Sequence, residues 1–264
     1  MRKILGVGAS ALLLASGLVA SSAAPALAAD GLPHGIGVFR PSEADFCLDT
    51  NRNGSSEHNF HFGRSEDLPI AGSWYNVLKE NTAGLYRPST ATFYLNYDSD
   101  DGTAEETFSF GRTGDRPVAG DWNNDHLDDV GVFRPSTGQF LLDTNNDGTA
   151  NVTRSFGQAG DLPVAGRWTY AADISGIGVF RPSEGRWYLD ADLDGVSDYR
   201  PSFGTSGDLP VAGDWDGDGR DEIGVFRPST ATFYLDRHLS GGSHDYPAVR
   251  YGAAGDRPIA GIWH

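Results

Sequence analysis

The chain has 264 residues, 36 acidic against 20 basic side chains and a formal net charge of −16. So acidic a surface repels phosphate backbones, which excludes nucleic acid as a partner class and suits hard cations instead. Cys47 is the single cysteine, so no internal disulfide can form.

The first element in chain order is a targeting segment. Arg2 and Lys3 open it, Ile4 to Ala20 is mostly apolar, and Ala26-Leu27-Ala28 supplies the small residues a signal peptidase prefers. The apolar run is interrupted by glycine and serine and falls short of the roughly 20 residues needed to span a bilayer. The expectation is a cleaved secretory leader over 1–29, no membrane span, and a secreted, extracellular product formed by 30–264. Without Arg2 and Lys3 that product carries 18 basic side chains against the same 36 acidic ones.

From Gly35 onward the sequence repeats. GVFRPS or a near copy begins at Gly37, Gly84, Gly131, Gly178 and Gly224, in steps of 47, 47, 47 and 46 residues. A second phrase, Asp-x-Pro-Val/Ile-Ala-Gly-x-Trp, ends at Trp74, Trp122, Trp168, Trp215 and Trp263. A period in the forties marks an array whose units cannot bury a core alone. Each unit reads as four short strands. In the fourth these are Val211–Trp215, Glu222–Phe226, Phe233–Asp236 and Ala248–Tyr251, with turn signals between them and no helical period. Four-stranded units arranged radially make a propeller, which protects sheet edges by wrapping into a ring.

The repeat phase argues for closure. The mature chain begins on a second strand, Gly35–Phe39, and ends on a first strand, Pro258–Trp263. The expected fold is therefore all-β: a five-bladed β-propeller of about 47-residue repeats, sealed by the C-terminal strand pairing with the N-terminal blade.

Recurring residues have structural readings. Arg40, Arg87, Arg134, Arg181 and Arg227 match in number Asp67, Asp115, Asp161, Asp208 and Asp256, and a guanidinium–carboxylate fork fastening strands or blades accounts for both sets. The five tryptophans read either as core packing between blades or as stacking platforms for a sugar ligand. Cys47 occupies the position of Tyr94, Leu141, Tyr188 and Tyr234 and reads as a buried apolar site.

Loops between the first and second strands, the A–B loops, carry candidate metal ligands. DWDGDGRDE in the fourth unit places Asp214, Asp216, Asp218, the carbonyl of Arg220 and Glu222 at positions 1, 3, 5, 7 and 9. DWNNDHLDD in the second repeats the pattern with Asp121, Asn123, Asp125, the Leu127 carbonyl and Asp129. Oxygens so spaced wrap a Ca²⁺ ion, and the alternative is Asx-type turn chemistry. The first and third copies, SWYNVLKEN and RWTYAADIS, lack the ligands, and the fifth is cut open by the chain ends. C–D loops give a weaker version, with Asp190, Asp192, Asp194 and Asp198 in the third unit, where a hairpin built on Asp-Gly explains most of the sequence.

Phe203 to Pro228, FGTSGDLPVAGDWDGDGRDEIGVFRP, resembles the FG-GAP repeat, grouped with VCBS-type repeats and found in integrin heads and secreted bacterial proteins. Phe110–Pro135 matches as well, and Phe62–Pro88 and Phe156–Pro182 match without the calcium ligands. The resemblance implies a propeller whose A–B loops hold Ca²⁺, here the two intact ones. Five short repeats rather than seven separate the chain from integrins and make it similar in size to tachylectin-type lectins, which bind N-acetylated sugars between blades.

No nucleophile elbow, zinc-protease motif or Cys/His cluster is present, so the chain reads as a non-enzyme. The leading functional expectation is a secreted, calcium-stabilised module that binds carbohydrate or a cell-surface polymer. Fivefold repetition lets weak sites add up to about 10²–10⁴ in avidity. An extracellular protein-interaction scaffold using the degenerate loops at 75–80 and 169–175 is the alternative. A glycoside hydrolase comes third.

Overall fold

The structure is a computed structural model and describes residues 32–75, 80–99 and 102–263. The leader reading lies outside these residues. Nineteen strands form five antiparallel sheets around a common axis, and no helix occurs among the described residues.

Blades are numbered as the sequence units are. Blade 1 holds Leu68–Gly72, Thr82–Arg87, Thr92–Leu95 and Glu106–Ser109; blade 2 holds Arg116–Gly120, Asp129–Arg134, Gln139–Leu142 and Val152–Ser155. Blade 3 has three strands, Leu162–Gly166, Gly176–Arg181 and Arg186–Asp190, with isolated bridges Arg186↔Ser202 and Leu189↔Tyr199 in the fourth position. Blade 4 holds Leu209–Gly213, Glu222–Arg227, Thr232–Leu235 and Val249–Arg250. The expected strands of that unit are present, displaced by at most two residues at their starts.

Blade 5 closes the ring. Its first strand is Arg257–Gly261, paired antiparallel to Gly35–Arg40 with Gly35 opposite Gly261 and Phe39 opposite Arg257. Asp45–Asp49 and His58–His61 complete it. The seal expected from the repeat phase is present.

Period-two alternation in the repeated phrase explains the packing. In Ile36-Gly-Val-Phe39, Ile36 and Val38 point into the cluster of blade 4, beside Trp215, Phe226 and Phe233. Phe39 faces its own blade's cluster, with Trp263, Phe46 and blade 1's Leu85. Every second strand is thus buried on both faces, which is why the motif reads as a continuous apolar run. The motif's glycine has a steric cause. A methyl placed on Gly178 would lie 2.6 Å from Leu189 Cδ2 and 2.9 Å from Val164 Cγ2. First and third strands lean over this point, and only glycine leaves room.

Alternating strand direction divides the disc into two faces. The B–C turns and D–A loops share one, the A–B and C–D loops the other. On the turn face each recurring aspartate meets its arginine. Arg87 reaches Asp67 at 2.8 and 2.7 Å, Arg134 reaches Asp115 at 2.9 and 2.7 Å, and Arg181 reaches Asp161 at 2.8 and 2.9 Å. Arg227 and Asp208 repeat this at 2.8 Å twice, and Arg40 and Asp256 more loosely at 3.3 and 3.2 Å, across the seal. Each carboxylate also accepts a backbone N–H three residues earlier, such as Arg64 to Asp67 at 2.9 Å. Tyr94, Tyr188 and Tyr234 lie under three of these guanidiniums at 4.4 to 4.6 Å. Cys47 is half-buried in the equivalent position, and burial pushes its thiol pKa up.

Candidate metal loops and an axial well

The five recurring tryptophans are all buried: Trp168 and Trp215 completely, Trp74, Trp122 and Trp263 to within 5 or 6 %. Their rings lie on the glycines that end each first strand. A methyl on Gly72 would come within 2.6 Å of Trp74. The indole N–H of Trp168 donates to Ile177 O and that of Trp215 to Ile223 O. This corrects the stacking-platform reading, because no ring face is left for a sugar; these side chains are inter-blade packing.

In the blade 4 A–B loop, one oxygen from each of Asp214, Asp216 and Asp218 lies within 4.8 Å of the others. Asp214 holds the loop by accepting the backbone N–H groups of Gly217 at 2.6 Å, Asp218 at 3.0 Å and Gly219 at 2.7 Å. Gly217 and Gly219 take φ of 77° and 87°, which glycine adopts without strain. Glu222 is fully buried and accepts Trp215 N–H at 3.0 Å through Oε2. Its Oε1 and Asp216 Oδ1 are buried without a hydrogen-bond donor, although the Arg220 guanidinium lies 3.5 Å from Oε1. Burial pushes the Glu222 carboxyl up to about 9, and the charges of Asp216, Asp214 and Asp218 push the same way. Acceptors turned inward with too few donors are what a hard cation needs, so the residues of this loop suit a metal ion. Arg237 already donates to Asp216 Oδ2 at 2.9 Å, and Tyr170 hydroxyl donates to Asp218.

The blade 2 loop is more open. Asp121 accepts Asn124 and His126 N–H at 2.6 and 3.0 Å, Asn123 accepts Asp125 N–H, and Asp125 accepts Leu127 N–H. Its three carboxylates are not among the groups whose oxygens converge. Asp129 nonetheless repeats Glu222's situation. It is buried, its Oδ2 lacks a partner, and desolvation raises it to about 8.

In the blade 3 C–D loop, Asp190, Asp192 and Asp194 converge within the same 4.8 Å. Asp198 turns away to accept Ala191 N–H at 2.7 Å. Asp190 accepts Asp194 and Gly195 N–H, as Asp49 accepts Asn53 and Gly54 and Asp143 accepts Asp147 and Gly148. The first carboxylate of these hairpins is thus an Asx cap common to several blades, whatever follows it.

Sequence reasoning missed a ring around the axis. The residue just before each second strand, namely His34, Asn81, Asp128, Ser175 or Asp221, sits on the end of the neighbouring blade's first strand. Ile262 N–H donates to Asn81 Oδ1 at 2.8 Å, Ser73 N–H to Asp128 Oδ2 at 2.7 Å, Asp121 N–H to Ser175 Oγ at 3.0 Å and Arg167 N–H to Asp221 Oδ2 at 2.7 Å. His34 completes the circle by donating its own N–H to Asp214 O at 2.7 Å. The glycine ending each first strand makes this approach possible. A methyl on Gly120 would meet Ser175 Cβ at 2.7 Å, and one on Gly261 would meet Asn81 Cβ at 2.8 Å. The available signal was one variable slot at a fixed place just before each repeat's second strand.

Above this ring the blades surround an open well of about 630 Å³, and the five Pro-Val/Ile-Ala segments narrow to a throat of about 130 Å³ below. Burial pushes Asp128 up to about 7 and Asp221 to about 6, and lowers His34 to about 4.

Comparison with known proteins gives only distant structural likenesses. No family model matches the chain, and no curated protein matches it. Among solved structures, a protein of unknown function from Bacteroides caccae is similar at 10% identity and a TM-score of 0.47, over 77% of this chain and 69% of its own. One from Desulfotomaculum acetoxidans follows at 9% and 0.41, covering 84% and 68%, and apo AztD from Citrobacter koseri at 7% and 0.44, covering 86% and 97%. The FG-GAP/VCBS likeness remains a resemblance carried by the chain's own motifs. No helix among the described residues is long and apolar enough to cross a membrane.

Proposed function

We propose that this chain is an extracellular, calcium-stabilised propeller that works as a binding module rather than an enzyme, engaging its ligand on the face of the A–B and C–D loops. The observation that carries this reading is the blade 4 loop, with Asp214, Asp216 and Asp218 converging beside the buried, incompletely partnered Glu222. Bound there, Ca²⁺ neutralises the loop and ties the first strand to the second. Asp214, Asp216, Asp218, Glu222 and the Arg220 carbonyl are its ligands, and the blade 2 set with Asp129 is the second site. The blade 3 hairpin is the weakest of the three.

For the ligand, carbohydrate or a cell-surface polymer stays the first candidate, but it must be met by surface aromatics and loop amides, since the tryptophans are buried. An extracellular protein is the second candidate, and one observation favours it. Tyr75 and Tyr170 are 73 % and 57 % exposed, and both lie in the degenerate A–B loops of blades 1 and 3.

Two experiments separate these parts. Chelator is expected to lower the melting temperature, and the double variant Asp216→Asn, Asp125→Asn to remove most of that sensitivity; an unchanged chelator effect would move the metal elsewhere. A glycan array at millimolar calcium with no signal, together with one stoichiometric protein recovered from culture supernatant, would replace the lectin reading with the scaffold reading.

A further inference from the structure

The net charge conceals an uneven distribution. The D–A loops, the B–C turns and the strand ends that border them hold 11 of the 18 basic side chains of residues 30–264 but nine of the 36 acidic ones. The rest of that sequence carries seven basic side chains against 27 acidic, so a slightly positive turn face sits on a strongly negative chain. Eight of the nine turn-face carboxylates lie within 3.8 Å of an arginine, and the ninth, Asp45, meets the His61 ring. What is left over on this face is therefore guanidinium. Arg64, Arg112, Arg116, Arg186, Arg250 and Arg257 form no ion pair among the described residues.

Two of the six share one place in the repeat. Arg116 and Arg257 fill the slot between the recurring aspartate and proline, which is Leu68, Leu162 and Leu209 in the other units. The Pro-Val/Ile-Ala segments that follow this slot line the throat, so the slot rims its turn-face mouth. Leucine here packs into the cluster shared with the next blade. Arginine reaches the same way and ends on a backbone carbonyl of that blade: Arg116 Nη1 donates to Asp161 O at 3.4 Å, and Arg257 Nη1 to Asp67 O. Most of the five N–H donors of each guanidinium stay unused. Both side chains are half-buried, and burial pulls their pKa values down; at Arg116 no neighbouring charge offsets the shift. A half-buried charge without a counter-charge is a deficit that an anion would relieve. Arg257 Nη1 also lies 3.4 Å from Glu66 O, which puts the Arg64 loop beside it, and Arg112 stands in the loop that leads into Arg116.

We propose that the turn face binds a linear polyanion across the mouth of the throat, Arg116 and Arg257 each holding one of its oxyanions with Arg64 and Arg112 flanking them. A guanidinium fork matches carboxylate and phosphate alike, so the shared chemistry is a repeating oxyanion. The loop face, with its acidic excess, repels the same polymer. Binding is therefore one-sided and leaves the candidate metal loops directed away from the polymer. This inference rests neither on the calcium reading nor on a loop-face ligand.

The test uses the full chain in calcium-free buffer at physiological ionic strength. Immobilised polyphosphate and polygalacturonate are offered separately, with neutral dextran as the reference. Saturable binding to at least one polyanion and none to dextran is expected, weakening as salt rises, and the polymer that binds identifies the oxyanion as phosphate or carboxylate. The double variant Arg116→Gln, Arg257→Gln keeps an amide donor for each carbonyl and should weaken binding about tenfold or more, the loss of two charge-assisted hydrogen bonds. Arg154→Gln, whose native side chain turns to the blade 3 C–D loop, should leave binding unchanged. In the unmodified protein the ¹⁵N resonances of Arg116 and Arg257 Nε should move on adding a short oligomer of the bound polymer, while that of Arg181, held on Asp161, stays; this readout is independent of any variant's folding. No binding to either polymer, undiminished binding by the double variant, an equal loss in Arg154→Gln, binding only once calcium is added, or Arg116 and Arg257 resonances that stay still at saturation would each overturn the proposal.

Discussion

The two faces of the disc are built from the same five repeats, yet they treat charge in opposite ways. On the turn face every recurring carboxylate is matched. Asp67, Asp115, Asp161, Asp208 and Asp256 are at most 3 % exposed, each held by a guanidinium and a backbone N–H. On the loop face carboxylates outnumber their donors, and two of the most buried, Glu222 and Asp129, have an oxygen with no hydrogen-bond donor at all. One face fastens strands within each blade and leaves none of these carboxylates over. The other keeps unmet acceptors, the deficit that the proposed cation would relieve.

That contrast is open to direct test, and the largest effect belongs to the turn face. Asp67→Ala strands Arg87, whose side chain is 9 % exposed, without its partner, and is expected to cost about 3–5 kcal/mol in urea unfolding. Asp147→Ala, an exposed loop-face carboxylate, should cost under about 0.5 kcal/mol. Equal losses would erase the distinction between the faces.

Next in size is metal removal. With free calcium near a hundred times its dissociation constant, one site contributes about 2.7 kcal/mol, or about 5–10 °C in a domain of this size. Chelation should produce that drop in a calorimetric scan, and Asp67→Ala should leave the drop intact.

Alkaline pH probes the turn face from another side. Tyr86 is fully buried, its hydroxyl donates to Arg112 O at 3.1 Å, and desolvation raises it to about 12. Because the folded state holds this proton more tightly, its contribution is complete below pH 10 and lost as pH rises from there to about 12. Tyr86→Phe should flatten that part of the stability profile, measured by circular dichroism. The smallest expected effect is at the rim: Tyr75→Ser and Tyr170→Ser should shift stability by under about 0.5 kcal/mol while removing ligand capture by the loop face.

Much of this architecture was legible because the repeat is its own alignment. Five copies of GVFRPS exposed the two-sided burial of the second strand, and the phase of Gly35 and Trp263 exposed the seal. The Arg–Asp pairs were legible by equal number alone. Trp74 and its copies left two readings open, since recurrence is demanded equally by packing and by a repeated ligand site; only burial separates them. Convergence of Asp214, Asp216 and Asp218, and the looser set at Asp121, Asp125 and Asp129, depends on how each loop folds back. The axial ring was invisible for a different reason. His34, Asn81, Asp128, Ser175 and Asp221 comprise four residue types, so no recurring letter marked their common place until the blades were assembled.

The seal has a mechanical consequence. Gly35 and Gly261 are paired at the same end of their two strands, so tension applied through the two ends of the disc pulls this pair apart first. The five paired positions then open one after another, as a zipper does, instead of resisting together in shear. Blade 5 is thus the compliant joint of the ring. The His34 N–H, bonded to Asp214 O at 2.7 Å, ties the chain to blade 4 immediately beside that joint.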